Sequence, residues 1–205
     1  MASRLVNLQR QLVWTDFGTP REGDNPAPGT TATAAQMRVT HRHTVNGESA
    51  PGTRPPRVRL KDDVSIEVIL QPSQIYVNAW VFRQPQSFQD DVLHHEQGHY
   101  DIVALICRDM FVEFMELKTQ TFAQGRELIS AIDRIMSTHD ALIASVHTPY
   151  DNNTHHGRDS AQQQLWDRLI QTAFTQPRSP AVIGSDGTPN KVRLDVTLRG
   201  AGITP

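Results

Sequence analysis

Among 205 residues there is a single cysteine, Cys107. An internal disulfide and any cysteine-based zinc cluster are thereby excluded, and the place of Cys107 inside an apolar run predicts a buried thiol. Neither sign of charge is in marked excess: 20 Lys and Arg stand against 22 Asp and Glu, a formal net charge of −2. With no long Lys/Arg block and no RNA- or DNA-binding signature either, nucleic acid is not expected as a partner. Long hydrophobic runs are missing too. No stretch approaches the roughly 18 apolar residues of a membrane span, and the start, MASRLVNLQRQLVW, carries no apolar core of signal-peptide length. The expectation is a soluble chain without a membrane span, long enough to bury a good core as one domain.

What is present changes texture along the chain. Residues 12–60 are rich in Gly, Pro and Thr (GTPREGDNPAPGTTATA, ESAPGTRPP), with short β-like pieces such as LVW and TAAQMRV, and read as a strand-and-loop lead-in. In 58–83 the β-branched and aromatic residues of VRLKDDVSIEVILQPSQIYVNAWVF fall in two runs, predicting two or three strands of one sheet. After Gln84-Pro85 the period becomes helical. Ser87 and Asp90 resemble a capping box, and Val92, Leu93, Ile102, Val103, Ile106, Met110, Phe114 and Leu117 continue the pattern to about Lys118. A second helix is predicted over 126–146, ended by Thr148-Pro149, then a loop, YDNNTHHG, and a third helix over 159–174. The tail, 175–205, suggests a hairpin in AVIGSDGTPNKVRLDVTL with its turn at 184–189. Strands followed by helices imply an α+β fold: a small mixed or antiparallel sheet packed on the first helix, with two further helices.

The stretch LHHEQGHYD, residues 93–101, holds the chemistry. His95 and His99 are four apart, so on a helix both imidazoles lie on one face and can share one zinc ion. Glu96 would project beside the metal and can take a proton from its bound water, the H-E-x-x-H arrangement. His94 is five residues from His99, about 140° round the helix, and is expected to point elsewhere. By chance such a motif arises in roughly two of a hundred sequences of this length and composition, so a solvated helix face that binds nothing is the competing reading. Against it, the motif runs into a strongly apolar stretch. Gly98 also sits mid-helix, where it costs about 1 kcal/mol relative to Ala, which suits a site where another chain or a ligand passes close by.

A catalytic zinc needs a third protein ligand. Glu113 and Glu116 are too far along the helix, Glu113 by roughly 21 Å from His99. The loop YDNNTHHG offers Asp151, His155 and His156, although adjacent loop histidines are often simply exposed. His139 and His147, on the second helix or at its end, are expected as surface or capping groups.

LHHEQGHYDI resembles the signature of a bacterial family of uncharacterised proteins described as predicted secreted zinc-dependent proteases, whose usual form is close to L-x-HEQ-x-H-[FY]-D-I. YDNNTHHG is similar to that family's Y-D-x-x-T-x-H-G segment, and LVWTDFGTP to its W-x-DF-x-G opening. The resemblance covers about residues 12–166. The C-terminal forty residues lie outside it; the resemblance implies a zincin-like metallopeptidase with the zinc site in the helical part, 87–174, and the order of elements one domain over 1–205. It further implies Zn2+ held by His95, His99 and His156, with Asp151 as the reserve third ligand, and Glu96 as general base. Tyr150 would donate a hydrogen bond to the developing oxyanion. Asp101, two residues from His99, is not on its face and is not expected to orient a ligand.

The expected reaction is hydrolysis of a polypeptide by a zinc-activated water, with the strand QIYVNAWV offering its edge to an extended substrate. The family is secreted, whereas this start carries no leader; export or periplasmic location and a cytoplasmic one are both open. The alternatives are a binding or structural module with a structural metal or none, and a zinc amidase acting on a non-protein amide.

Overall fold

The structure, a computed structural model, describes residues 2–22, 33–176 and 192–205. Within them the chain is α+β. Seven short strands, β1 (Arg4–Val6), β2 (Ala35–Gln36), β3 (Val39–Thr44), β4 (Gly47–Ser49), β5 (Val58–Leu60), β6 (Ser65–Leu70) and β7 (Tyr76–Val77), precede the helices α1 (Gln86–Leu117), α2 (Gly125–Thr154), α3 (Ser160–Thr175) and α4 (Leu194–Gly200). No helix of the described residues is long and apolar enough to cross a membrane.

The strands of 58–83 do not form one sheet. β6 is the centre of a mixed sheet ordered β1-β6-β3, parallel to β1 and antiparallel to β3, whereas β5 pairs with β4 and β7 with β2. QIYVNAWV is a strand only at Tyr76–Val77, because Ala79–Arg83 turns into a 3-10 helix. There Trp80 and Val81, successive in sequence, are both buried beside Ile75 and Val77, which an alternating strand cannot do. LVW likewise ends in a 3-10 turn, Trp14–Phe17, where the Asp16 carboxylate accepts the Val13 N–H at 2.9 Å.

Helix α1 is the axis of the molecule. One side packs on the mixed sheet, where Tyr100, Val103, Cys107, Met110 and Phe114 meet Ile66 and Val68. Its other side carries Ile102, Leu105 and Ile106 against Val146, Tyr150, Trp166, Ile170 and Leu194 of the other helices. Covered on both sides, its middle is apolar all round, which is why IVALI is a run and not a stripe. Cys107 is buried and free. The expected Ser87 capping box is absent: Pro85 is the N-cap residue and caps with no side-chain hydrogen bond, while Gln86 bonds Asp90 at 2.8 Å.

Helix α2 does not stop at Pro149. It runs on to Thr154, with Pro149 inside it. Proline forfeits one backbone hydrogen bond, but Val146, Tyr150 and Thr154 follow at intervals of four and are all fully buried, so packing outweighs the local break. What was expected as a loop is therefore a last helical turn. It ends at His155 and His156, both left-handed with φ of 48° and 55°, before Gly157 at φ 80°. In the tail, the expected second arm of the hairpin is helix α4, while 177–191, with the first arm and the turn, lie outside the described residues. Leu194 and Leu198, four apart, are both buried, and Asp195 pairs with Arg199 at 3.5 Å; that period outweighs the β-branched character of Val196 and Thr197. The helices beyond α1 thus number three among the described residues, one more than expected.

Candidate metal centre

Helix α1 turns one face of its first half toward a cleft of about 1240 Å³, walled by β2 and β3 on one side and by α2 and α3 on the other. One turn apart on that face, His95 and His99 aim their Nε2 atoms at the same atom, Oδ1 of Asp151 on α2, at 3.1 Å and 3.0 Å. The three residues form a group whose ligand atoms lie within 4.8 Å of one another. Two imidazole nitrogens and a carboxylate oxygen, one side open to a cleft, are donors that could hold a metal ion.

Glu96 lines the same cleft and is 5% exposed, and its Oε2 is buried with no hydrogen-bond partner among the described residues. Burial drives its pKa above the ordinary carboxylate value, opposed by His99 and His95 and helped by Asp151. For Asp151, burial would raise the pKa, but hydrogen bonds from His95 and His99 and their charges hold it well below the usual range. For His99 burial is again the largest influence and works against the charged form; the hydrogen bond to Asp151 and the charges of Glu96 and Asp151 prevail, and its pKa is raised.

The outer nitrogens are held as well. His95 Nδ1 lies 3.2 Å from Oε1 of Gln163 on α3 and 3.4 Å from Oγ1 of Thr154. His99 Nδ1 lies 2.9 Å from Nδ1 of His147. Burial and the neighbouring His99 push the pKa of His147 down to about 4. His147 was expected as a surface or capping group, and it is instead in contact with His99. The sequence carried the signal: His147 and Asp151 are one helical turn apart, but only if α2 continues through Pro149. Gln163 had no such signal.

The third position differs from the first choice. His156 is mostly exposed, its Nδ1 is 3.5 Å from Asp151, and it is not among the three grouped residues. The left-handed turn after Thr154 carries its ring outward, whereas Asp151, the reserve, sits one turn earlier on the face that meets α1. Tyr150 is also corrected. Its hydroxyl is fully buried, donates to the backbone oxygen of His95 at 3.0 Å and accepts from Gln163 Nε2 at 2.8 Å, while its ring stacks on His95 at 4.7 Å. It braces a histidine and has no free donor for an oxyanion.

The same ring explains Gly98. A Cβ there would stand 2.0 Å from the Tyr150 hydroxyl oxygen. The close neighbour expected beside Gly98 is thus a side chain of α2, not another chain or a ligand.

Gln97, between the two motif halves, ties the N-terminal segment to α1: its Oε1 accepts the Leu12 N–H at 2.8 Å and its Nε2 donates to the Arg10 oxygen at 2.9 Å and to Asp101 at 2.8 Å. His94 points away and pairs with Asp167 at 2.9 Å. His139 is fully buried, 2.8 Å from the Ile135 oxygen, and Glu113 pairs with Arg193, so neither joins the centre.

What fold and site define together is an α+β protein with a His-His-Asp group, His95 buried and His99 and Asp151 half-buried, lining a cleft. No protein-family model matches this chain, nor does any of the curated proteins or solved structures compared with it.

Proposed function

We propose that this chain is a zinc-dependent metallopeptidase with a zincin-like site, in which His95, His99 and Asp151 hold the metal and Glu96 is the general base. The observation that carries the reading is the convergence of both histidine Nε2 atoms on one Asp151 oxygen, beside a buried Glu96 oxygen with no partner among the described residues. Buried polar atoms are seldom left unpaired, and an unpaired one next to three metal-type donors is accounted for by a bound water and ion. When bound, zinc supplies an acidified water and a Lewis acid for the scissile carbonyl.

The chain's own residues do the rest. Glu96 accepts the proton of the attacking water at its carboxylate and passes it to the leaving amine nitrogen, in a position sheltered from bulk solvent. Tyr150, Gln163 and Thr154 keep His95 oriented. A polypeptide is the substrate class that suits the cleft: among the described residues β3 is paired on one side only, by β6, and its residues Val39, Thr40 and His41 line the cleft. An extended segment can add to that edge through backbone hydrogen bonds. This role passes to β3 from QIYVNAWV, whose strand is only two residues long.

The test is metal analysis and hydrolysis of an unfolded protein substrate. Wild type is expected to carry one zinc; Glu96→Gln keeps the zinc and loses roughly 10²-fold or more of the rate. His95→Ala and Asp151→Ala lose the zinc, and His156→Ala keeps it. Full activity in Glu96→Gln, or no zinc in the wild type, overturns the reading.

A further inference from the structure

We infer that His147 is the positioning residue for His99: it accepts a hydrogen bond from the Nδ1–H of His99 and so keeps the Nε2 of His99, lone pair outward, turned toward Asp151 and the metal. The inference rests on the metallopeptidase reading and adds to it a residue outside the ligand set.

The argument starts from two ring nitrogens. The Nδ1 atoms of His99 and His147 are 2.9 Å apart, so one carries the hydrogen and the other accepts it. An imidazole that gives its Nε2 lone pair to a metal must carry its proton on Nδ1. His99 is then the donor, and His147 is held as the tautomer with its hydrogen on Nε2.

The fold makes this contact rigid. His147 and Asp151 are one turn apart on α2 and both face His99, whose side chain is 12% exposed, with the two rings tilted by 52° at 4.9 Å. His95 has a separate partner from α3, Gln163. Each ligand histidine thus has its own partners at Nδ1: Gln163 of α3 and Thr154 of α2 for His95, and His147 of α2 for His99. Ligand histidines commonly donate to a carboxylate or carbonyl; a neutral imidazole in that place orients His99 without adding negative charge to a centre that already holds Glu96 and Asp151.

The experiment compares wild type, His147→Phe and His147→Gln by zinc titration against a competing chelator, with the thermal midpoint measured in parallel. The tautomer of His99 is read by nitrogen-15 NMR in the zinc-loaded wild type. His147→Phe, which cannot accept, is expected to lose about 10- to 100-fold in zinc affinity. His147→Gln, which can accept through its amide oxygen, recovers most of it, and His99 in wild type is protonated at Nδ1. Unchanged affinity in a folded His147→Phe, no recovery in a folded His147→Gln, or a zinc-loaded His99 without a proton on Nδ1 overturns the inference. Should the variants fail to fold, nitrogen–nitrogen coupling across the His99 Nδ1–His147 Nδ1 hydrogen bond in the zinc-loaded wild type decides alone: it is expected, and its absence overturns the inference. A wild type that binds no zinc is a different result: it removes the metallopeptidase reading itself.

Discussion

Gly98 and Tyr150 show how a single missing methyl group lets two helices meet. Tyr150 cannot retreat, since its hydroxyl is bonded on both sides and its ring is stacked on His95. A Cβ at Gly98 would reach 2.0 Å from the hydroxyl and 2.7 Å from the ring carbon that bears it. Gly98→Ala should therefore destabilise by about 1–3 kcal/mol through overpacking, against a helix-propensity gain of about 1 kcal/mol. Urea unfolding checks the sign; a more stable variant would contradict the packing argument. Cys107 makes a prediction in pH. Burial, with Asp140 and Asp109 adding to it, pushes its thiol from 9.0 up to about 12. Between those values the unfolded chain has lost a proton that the folded chain keeps, so stability falls as pH rises through 9. Cys107→Ala should flatten the alkaline slope of unfolding free energy by up to about 1.4 kcal/mol per pH unit, measured by urea titrations from pH 8 to 11. In the native protein the thiol should stay unlabelled by a maleimide until the chain unfolds.

At the scale of elements, α3 is legible from its ends and α2 is not. Asp159 sits before an apolar-periodic segment and is its N-cap, accepting the Gln162 N–H at 3.0 Å. Asp159→Ala should cost about 1 kcal/mol and speed hydrogen exchange in the first turn of α3; an unchanged thermal midpoint would argue against the cap. That turn also holds Gln163, so fraying there loosens the support of His95 before it unfolds the core. For α2, Pro149 gave a strong local stop signal that tertiary burial overrode. The consequence was not only a boundary error: stopping the helix at 146 turned Asp151 into a loop residue and hid its one-turn relation to His147. Residues 194–200 were misread for a related reason. In a short segment, Val196 and Thr197 suggest a strand, and only the face on which Leu194 and Leu198 are buried reveals the helical period.

At the scale of the whole molecule, α1 separates two apolar clusters, and the C-terminal segment closes the second. The buried pair Arg108–Asp109, 2.5 Å apart, fastens that closure: Arg108 donates to the oxygens of Ala173 and Val192, and Asp109 accepts the Leu194 N–H at 3.0 Å. Breaking one partner leaves a buried charge without compensation. Asp109→Ala should destabilise by about 3–5 kcal/mol and release α4, visible as faster hydrogen exchange over residues 194–200. Unchanged exchange in α4 of that variant would show that Leu194 and Leu198 hold it unaided.

The sequence by itself determined the class, α+β, because hydrophobic period and turn residues are local properties. It also determined that His95 and His99 share a face, since four residues of helix bring them there whatever surrounds them. Three things were decided only by the tertiary structure. Asp151, not His156, meets the pair; Tyr150 is spent on bracing; and His147 stands against His99. Each depends on where α2 crosses α1, and that crossing is set by the burial of side chains scattered over both helices, a sum over distant residues that no short stretch contains.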